Sequence, residues 1–112
     1  MNIQIFGRKK GSDTKKAERF FKERGIKFQF VNLDEKELSN GEFNSVMSAV
    51  GGADKMIDKD CKEFKKKNLE YIVYDAESEL REDQKLLITP IVRDGRRAII
   101  GFDIDVLKGW IG

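Results

Sequence analysis

The chain opens on Asn2–Phe6 (NIQIF), where apolar and polar residues alternate as they do in a half-buried strand. From Ser12 the period changes. Ala17, Phe20, Phe21 and the stem of Arg24 recur at helical spacing. Ser12 or Asp13 is the expected N-cap, and Gly25 the expected left-handed C-cap. Alternation returns in residues 26–31 (IKFQFV), with Ile26, Phe28 and Phe30 on one face. A strand, a helix of about three turns and a second strand make a βαβ unit, whose strands run parallel.

Beyond Asn32 the pattern is helical. Ser39-Asn40-Gly41-Glu42 has the form of a capping box. Phe43, Val46, Met47 and Val50 follow as a stripe that stops at Gly51-Gly52. A second helical stretch is expected over about 54–67, presenting Met56, Ile57, Cys61 and Phe64. Residues 71–74 fit either a short strand or an irregular link, and 76–87 should be helix. The last quarter returns to β: residues 89–93, an Asp94-Gly95 turn and residues 97–102 form a hairpin signal. Asp103 should cap a final helix carrying Ile104, Leu107, Trp110 and Ile111. The expected order is β-α-β over residues 1–33, a helical insert over about 34–87, and β-β-α over 88–112, within one domain.

Composition narrows the chemistry. Eight Phe and 39% hydrophobic residues suffice for a packed core, and 38% charged residues imply a heavily solvated surface. One Cys excludes an intramolecular disulfide and points to a reducing cytoplasm. That single Cys and the absence of His argue against a transition-metal site. No apolar run is long enough to cross a bilayer, and no signal-peptide pattern is visible. The net charge of +2 is too small to imply direct nucleic-acid binding, but its distribution is uneven. Residues 8–24 hold eight Lys/Arg against three acids, whereas residues 70–83 hold six acids against one Arg. Two solvated helix faces of opposite sign account for this; a binding face for an anion or a charged partner is the alternative.

The loop before the first helix, Gly7-Arg8-Lys9-Lys10-Gly11, has the look of a catalytic loop without a catalyst. Helix N-termini stabilise negative charge, so reactive thiolates are often placed there. Yet no Cys, His or Glu lies between Gly7 and Ala17. Ser12 beside Asp13 lacks the adjacent base a serine nucleophile needs, and is better explained by capping. The loop lacks the Gly-Lys-Ser/Thr ending of a P-loop, although an anion could rest on the amides of Asp13 and Thr14. Cys61, the only thiol, lies among Lys59, Lys62 and Lys65, opposed by Asp60 and Glu63. It reads as a small half-buried residue, with a reactive thiol as the alternative.

In element order and in three stretches (residues 5–33, 52–70 and 89–102) the chain resembles the arsenate reductase (ArsC) family, which includes the Spx transcription regulators. Lys15-Lys16-Ala17 and Gly25-Ile26 stand where that family has Arg-Lys-Ala and the Gly-Ile at the end of its first helix. The resemblance implies an α/β, thioredoxin-like (glutaredoxin-like) fold: a mixed sheet of about four strands with a helical insertion, of the ArsC/Spx type. It puts Gly11 at the position of the redox cysteine and Thr14 at the second member of the Cys-x-x-Cys or Cys-x-x-Ser motif. It also makes Thr89-Pro90 the cis-proline pair beside that loop, with Thr89 where an oxyanion-binding Arg is usual. Gly11, Ser12, Asp13 and Thr14 are then a vestigial redox loop that retains an anion-friendly helix start. Gly52 matches the glycine with which Spx contacts RNA polymerase, although a glycine between two helices is expected in any case. The leading expectation is a redox-inactive binding or regulatory protein with no cofactor. One alternative is an oxidoreductase, arsenate or disulfide reductase-like and served by glutathione, using Cys61. The other is an Spx-like regulator with RNA polymerase as partner.

Overall fold

A computed structural model describes all 112 residues. Its four strands are β1 (Ile3–Gly7), β2 (Phe28–Asn32), β3 (Ile91–Asp94) and β4 (Arg97–Ile100), in the sheet order β2-β1-β3-β4. β1 runs parallel to β2, with Ile3 opposite Phe28 and Gly7 opposite Asn32. It runs antiparallel to β3, with Ile3 opposite Asp94 and Phe6 opposite Ile91. The mixed four-stranded sheet that the resemblance implies is therefore present, and β1 and β2 each lie a residue or two later than the alternation suggested.

Alternation along β1 divides the core. Ile3 and Ile5 point to one face, where they meet Ala17, Phe20 and Phe21 of α1 (Ser12–Glu23) and Leu107 of α5 (Ile104–Ile111). Phe6 points to the other face and joins the larger cluster formed by the segment between β2 and β3. That segment contributes Phe43 and Val46 from α2 (Asn40–Val50), Phe64 from α3 (Lys62–Lys66) and Leu80 from α4 (Ala76–Glu82). Helices thus cover both faces of the sheet, and the β1–α1 loop emerges at the end of the central strand.

The local signals behave as chemistry requires. Ser39 Oγ accepts from the Glu42 amide at 3.2 Å, and Glu42 Oε1 accepts from the Ser39 amide at 2.9 Å, completing the capping box. At the end of α1 the Gly25 and Ile26 amides donate to Lys22 and Phe21 carbonyls, with Gly25 at φ 66°. Asp103 Oδ1 accepts from the amides of Asp105 and Val106 and caps α5.

Four expectations need correction. Neither Ser12 nor Asp13 caps α1: Gly11 is the N-cap, without a side-chain bond, because its own carbonyl already accepts from the Lys15 amide at 3.1 Å. Ser12 and Asp13 lie in the first turn, where the Asp13 charge suits the helix dipole. Residues 54–67 do not form one helix. A 3-10 turn (Ala53–Lys55) is followed by an antiparallel bridge between Ile57 and Leu87, with the Asp58 amide donating to the Leu86 carbonyl and Ile88 to Met56. Asp58 Oδ1 then takes the Asp60 amide, and this local turn delays α3 until Lys62. Residues 76–87 likewise divide at Asp83, whose side chain accepts from the Lys85 amide and starts a 3-10 turn (Gln84–Leu86). In the hairpin, Asp94 pairs with Arg97, so the two-residue connection is Gly95-Arg96 and not Asp94-Gly95.

Candidate functional site

The β1–α1 loop and the start of β3 meet at one edge of the molecule. Phe6 and Ile91 are the last paired residues of β1 and β3, so Pro90 lies one step further, at the level of Gly7. The Thr89-Pro90 peptide bond is cis, and Pro90 is buried while Thr89 is half-exposed. The sheet register thus brings Thr89 and Pro90 next to the loop that begins α1.

Thr14 organises the loop from inside. It is 1% exposed, and its Oγ1 is enclosed without a hydrogen-bond partner. Its side chain lies directly against Gly7: a Cβ at Gly7 would come within 2.6 Å of Thr14 Oγ1 and 2.7 Å of Cγ2. That approach is why position 7 has no side chain. At Gly11 the space is tighter than usual but not closed, since a Cβ would meet Thr14 Oγ1 at 3.0 Å and the Arg8 carbonyl at 3.3 Å. Gly11 itself is extended, φ −70° and ψ 126°, a conformation open to any residue. No depression of the surface is lined by residues 11–14, Thr89 or Pro90; Thr14 occupies the space between loop and helix.

The first-turn amides of Ser12, Asp13 and Thr14 donate to no protein group, as the geometry of a helix start dictates. Around them Lys9, Lys10, Lys15 and Lys16 are exposed, and Lys16 Nζ lies 3.5 Å from Asp13 Oδ1. Arg8 is turned away. Its Nε donates to Asp34 Oδ1 at 3.1 Å and its Nη2 to the Gln84 carbonyl at 3.4 Å. The Gln84 side chain in turn pairs with both backbone groups of Leu38, at 2.8 Å and 3.1 Å. Arg8, Asp34 and Gln84 therefore tie the loop to the segment between β2 and β3. The pattern of the chain does not single out this trio, because its members are 26 and 76 residues apart.

Cys61 is elsewhere. It is the N-cap of α3, half-buried, and packs against the larger hydrophobic cluster. α3 packs on the turns at residues 69–71 and 84–86, whereas α1 packs on β1. The Cys61 thiol packs against the cluster that contains Phe64. Gly52 adopts φ 131° and ψ 158°, a region that side chains strongly disfavour, directly after the left-handed Gly51 that ends α2. No group of three His, Cys, Asp or Glu residues is close enough to hold a metal ion, and no helix is long and apolar enough to cross a membrane.

A mixed sheet in the order β2-β1-β3-β4, with α1 starting beside Pro90 and helices inserted between β2 and β3, is a thioredoxin-like fold with the helical insertion seen in ArsC structures. Comparison with known proteins bears this out. The chain is 29% identical over 115 aligned positions to the global transcriptional regulator Spx 2 of Oceanobacillus iheyensis, covering 99% of this chain and 84% of that protein. Among solved structures it superposes on a protein described as ArsC family related from Bacteroides fragilis, with a TM-score of 0.84 and 17% identity over 97% of each chain. It also superposes on the arsenate reductase of Vibrio cholerae, with a TM-score of 0.75 and 21% identity over 88% of this chain and 87% of that one. No family profile matches the sequence. The structural likenesses carry the fold; the sequence likeness is to an Spx protein.

Proposed function

We propose that this chain is a redox-inactive member of the ArsC/Spx group, a single thioredoxin-like domain that works in the cytoplasm by binding and not by thiol chemistry. The observation that carries this reading is the loop itself. Gly11 caps α1 where a nucleophilic thiol is expected, and the Thr14 side chain fills the space behind it. What remains is an electropositive helix start with three free amides, suited to an anion or an acidic group and unable to attack one. Cys61 packs against the larger core cluster, and this reading gives it no part in the loop and the protein no glutathione cofactor.

The test is a reductase assay on arsenate and on small disulfides, with dithiothreitol or glutathione as electron source. Wild type and Cys61→Ser are expected to match the protein-free rate. Turnover by the wild type that disappears in Cys61→Ser would establish the oxidoreductase alternative.

A second reading, an Spx-like regulator that contacts RNA polymerase, is favoured by the similarity to Spx 2. It assigns Gly52 to the contact. Retention of polymerase is expected to fall in Gly52→Arg when both proteins are compared well below their unfolding temperatures. Retention equal to wild type would remove this reading. The φ of Gly52 makes the stability control necessary, since a side chain there strains the backbone.

A further inference from the structure

β2 is an edge of the sheet and pairs only with β1. Its register sets Gly7 opposite Asn32, and the Leu33 amide donates to the Gly7 carbonyl at 2.9 Å. Gln29, Val31 and Leu33 therefore turn their backbone groups towards β1, while those of Phe28, Phe30 and Asn32 point out of the sheet. The Asn32 carbonyl accepts from the Glu35 and Lys36 amides, each at 3.0 Å. The outward amides and carbonyls of Phe28 and Phe30 have no partner in the chain. After Asn32 the chain turns onto the Phe6 side of the sheet, where Leu33 and Leu38 are buried, and leaves this edge open. Nothing along the strand protects it: Phe-Gln-Phe-Val-Asn has no charge and no Pro, and its register runs without a bulge. The opposite edge, β4, opens with Arg97 and has α2 packed on it. Phe28 and Phe30 are half-exposed at the rim of the smaller core cluster, which adds apolar surface along the same edge.

We propose that β2 pairs antiparallel with β2 of a second copy of the chain, about a two-fold axis through Gln29, joining two sheets into one. This register sets Phe28 opposite the partner's Phe30, so each free amide meets a free carbonyl and the two Phe pairs cover each other's exposed rims. A register centred on Phe30 would need the Asn32 carbonyl, which already accepts twice. Charge favours a second copy as the occupant. Lys27, exposed and outside any ion pair, precedes the strand. Beyond the strand Asp34 is held by Arg8, which leaves Glu35, Lys36 and Glu37 exposed and unpaired, two acids against one Lys. Glu23 and Arg24 line a groove with Phe102 and Ile104 on the α5 side, away from this edge. The strand is thus basic at its start and acidic at its end, and antiparallel pairing lays each end against the opposite charge. Closed two-fold pairs are also the commonest form of self-association. Phe28 and Phe30 lie outside the Gly11 loop, so failure here leaves the reading of that loop standing.

The test uses the full chain carrying Gln29→Cys in a Cys61→Ser background. At the axis, residue 29 forms a non-hydrogen-bonded pair with its own copy, with Cα atoms about 4.5 Å apart, inside the range of about 4.4–6.8 Å that a disulfide spans. With oxidised glutathione as the oxidant, a linked dimer is expected to form at least about tenfold faster than from Ser48→Cys in the same background, an exposed site on α2. In the wild-type chain, sedimentation should show a monomer–dimer equilibrium. The amides of Phe28 and Phe30 should gain protection from hydrogen exchange as concentration rises into the millimolar range. Gln29→Lys, which sets two like charges face to face at the axis, should weaken dimerisation about threefold or more. Equal cross-linking at residues 29 and 48, a strictly monomeric chain, or protection at Phe28 and Phe30 that is independent of concentration would each overturn the proposal.

Discussion

Thr14 is the residue on which the loop turns, and its burial is chemically unusual. A hydroxyl enclosed without a partner is costly, because it has lost water and gained nothing. Replacing it by a methyl of the same shape keeps the contact with Gly7 and removes the penalty. Thr14→Val is therefore expected to raise unfolding stability by about 1 kcal/mol, read by denaturant titration; a loss of similar size would mean that the hydroxyl has a partner. Gly7→Ala works in the opposite sense. Its Cβ would lie within 2.6 Å of Thr14 Oγ1, so the helix start must shift, and a loss of about 1–3 kcal/mol is expected. Neither effect is legible in the chain's pattern. Thr14 stands at a position whose burial is decided by how α1 leaves β1, and only the folded loop shows that Gly7 and Thr14 touch.

Among the elements, the β3–β4 hairpin and α5 are joined through Asp94 and Arg97. Asp94 Oδ1 accepts from the Asn2 amide at 3.0 Å, while Arg97 Nη2 lies 2.9 Å from Asp94 Oδ2 and 3.3 Å from the Trp110 carbonyl. The Arg97 guanidinium also lies over the Trp110 ring, 4.6 Å from its centre. The bond from the Asn2 amide, and after it the bond from Arg97, hold the Asp94 carboxyl below its ordinary value. A carboxylate whose folded pKa is lowered binds fewer protons than the unfolded chain does. Its contribution is complete above the unfolded value of about 3.9 and is lost as pH falls through the lowered folded value. Asp94→Asn should accordingly be less stable than wild type near neutrality, and the two stabilities should converge in acid. A gap that stays constant down to pH 2 would contradict this role. At this scale the chain is easy to read where a local signal meets no competitor, as at the Ser39–Glu42 box, Gly25 and Asp103. It misleads where a distant backbone intervenes. The helical period of residues 54–67 is broken because Ile57 pairs with Leu87, thirty positions away, and the period itself carries no trace of that partner.

The whole molecule has a thioredoxin-like architecture with a helical segment inserted between β2 and β3. Its central strand delivers Gly7 beside Pro90, α1 directs its N-terminus at the same edge, and the Arg8–Asp34–Gln84 tie anchors the loop. Element order and the parallel β1–β2 pair were legible because apolar residues alternate on both strands and fall on one stripe of α1. The packed interior of the loop was not, since Gly11 and Thr14 are identified there only by contact. If the scaffold is intact and only the reactive group is missing, then supplying that group should restore its acidity. The most direct measurement is the thiol pKa of Gly11→Cys in a Cys61→Ser background, from thiolate absorbance against pH. Gly11 is extended and its Cβ contacts need only small adjustments, so the variant should fold. The expected value lies at least about one unit below the free-cysteine value of about 8.5, because the helix start and the lysines around it favour the thiolate. A value at or above 8.5 would contradict the assignment of this loop as a redox site that has lost its thiol.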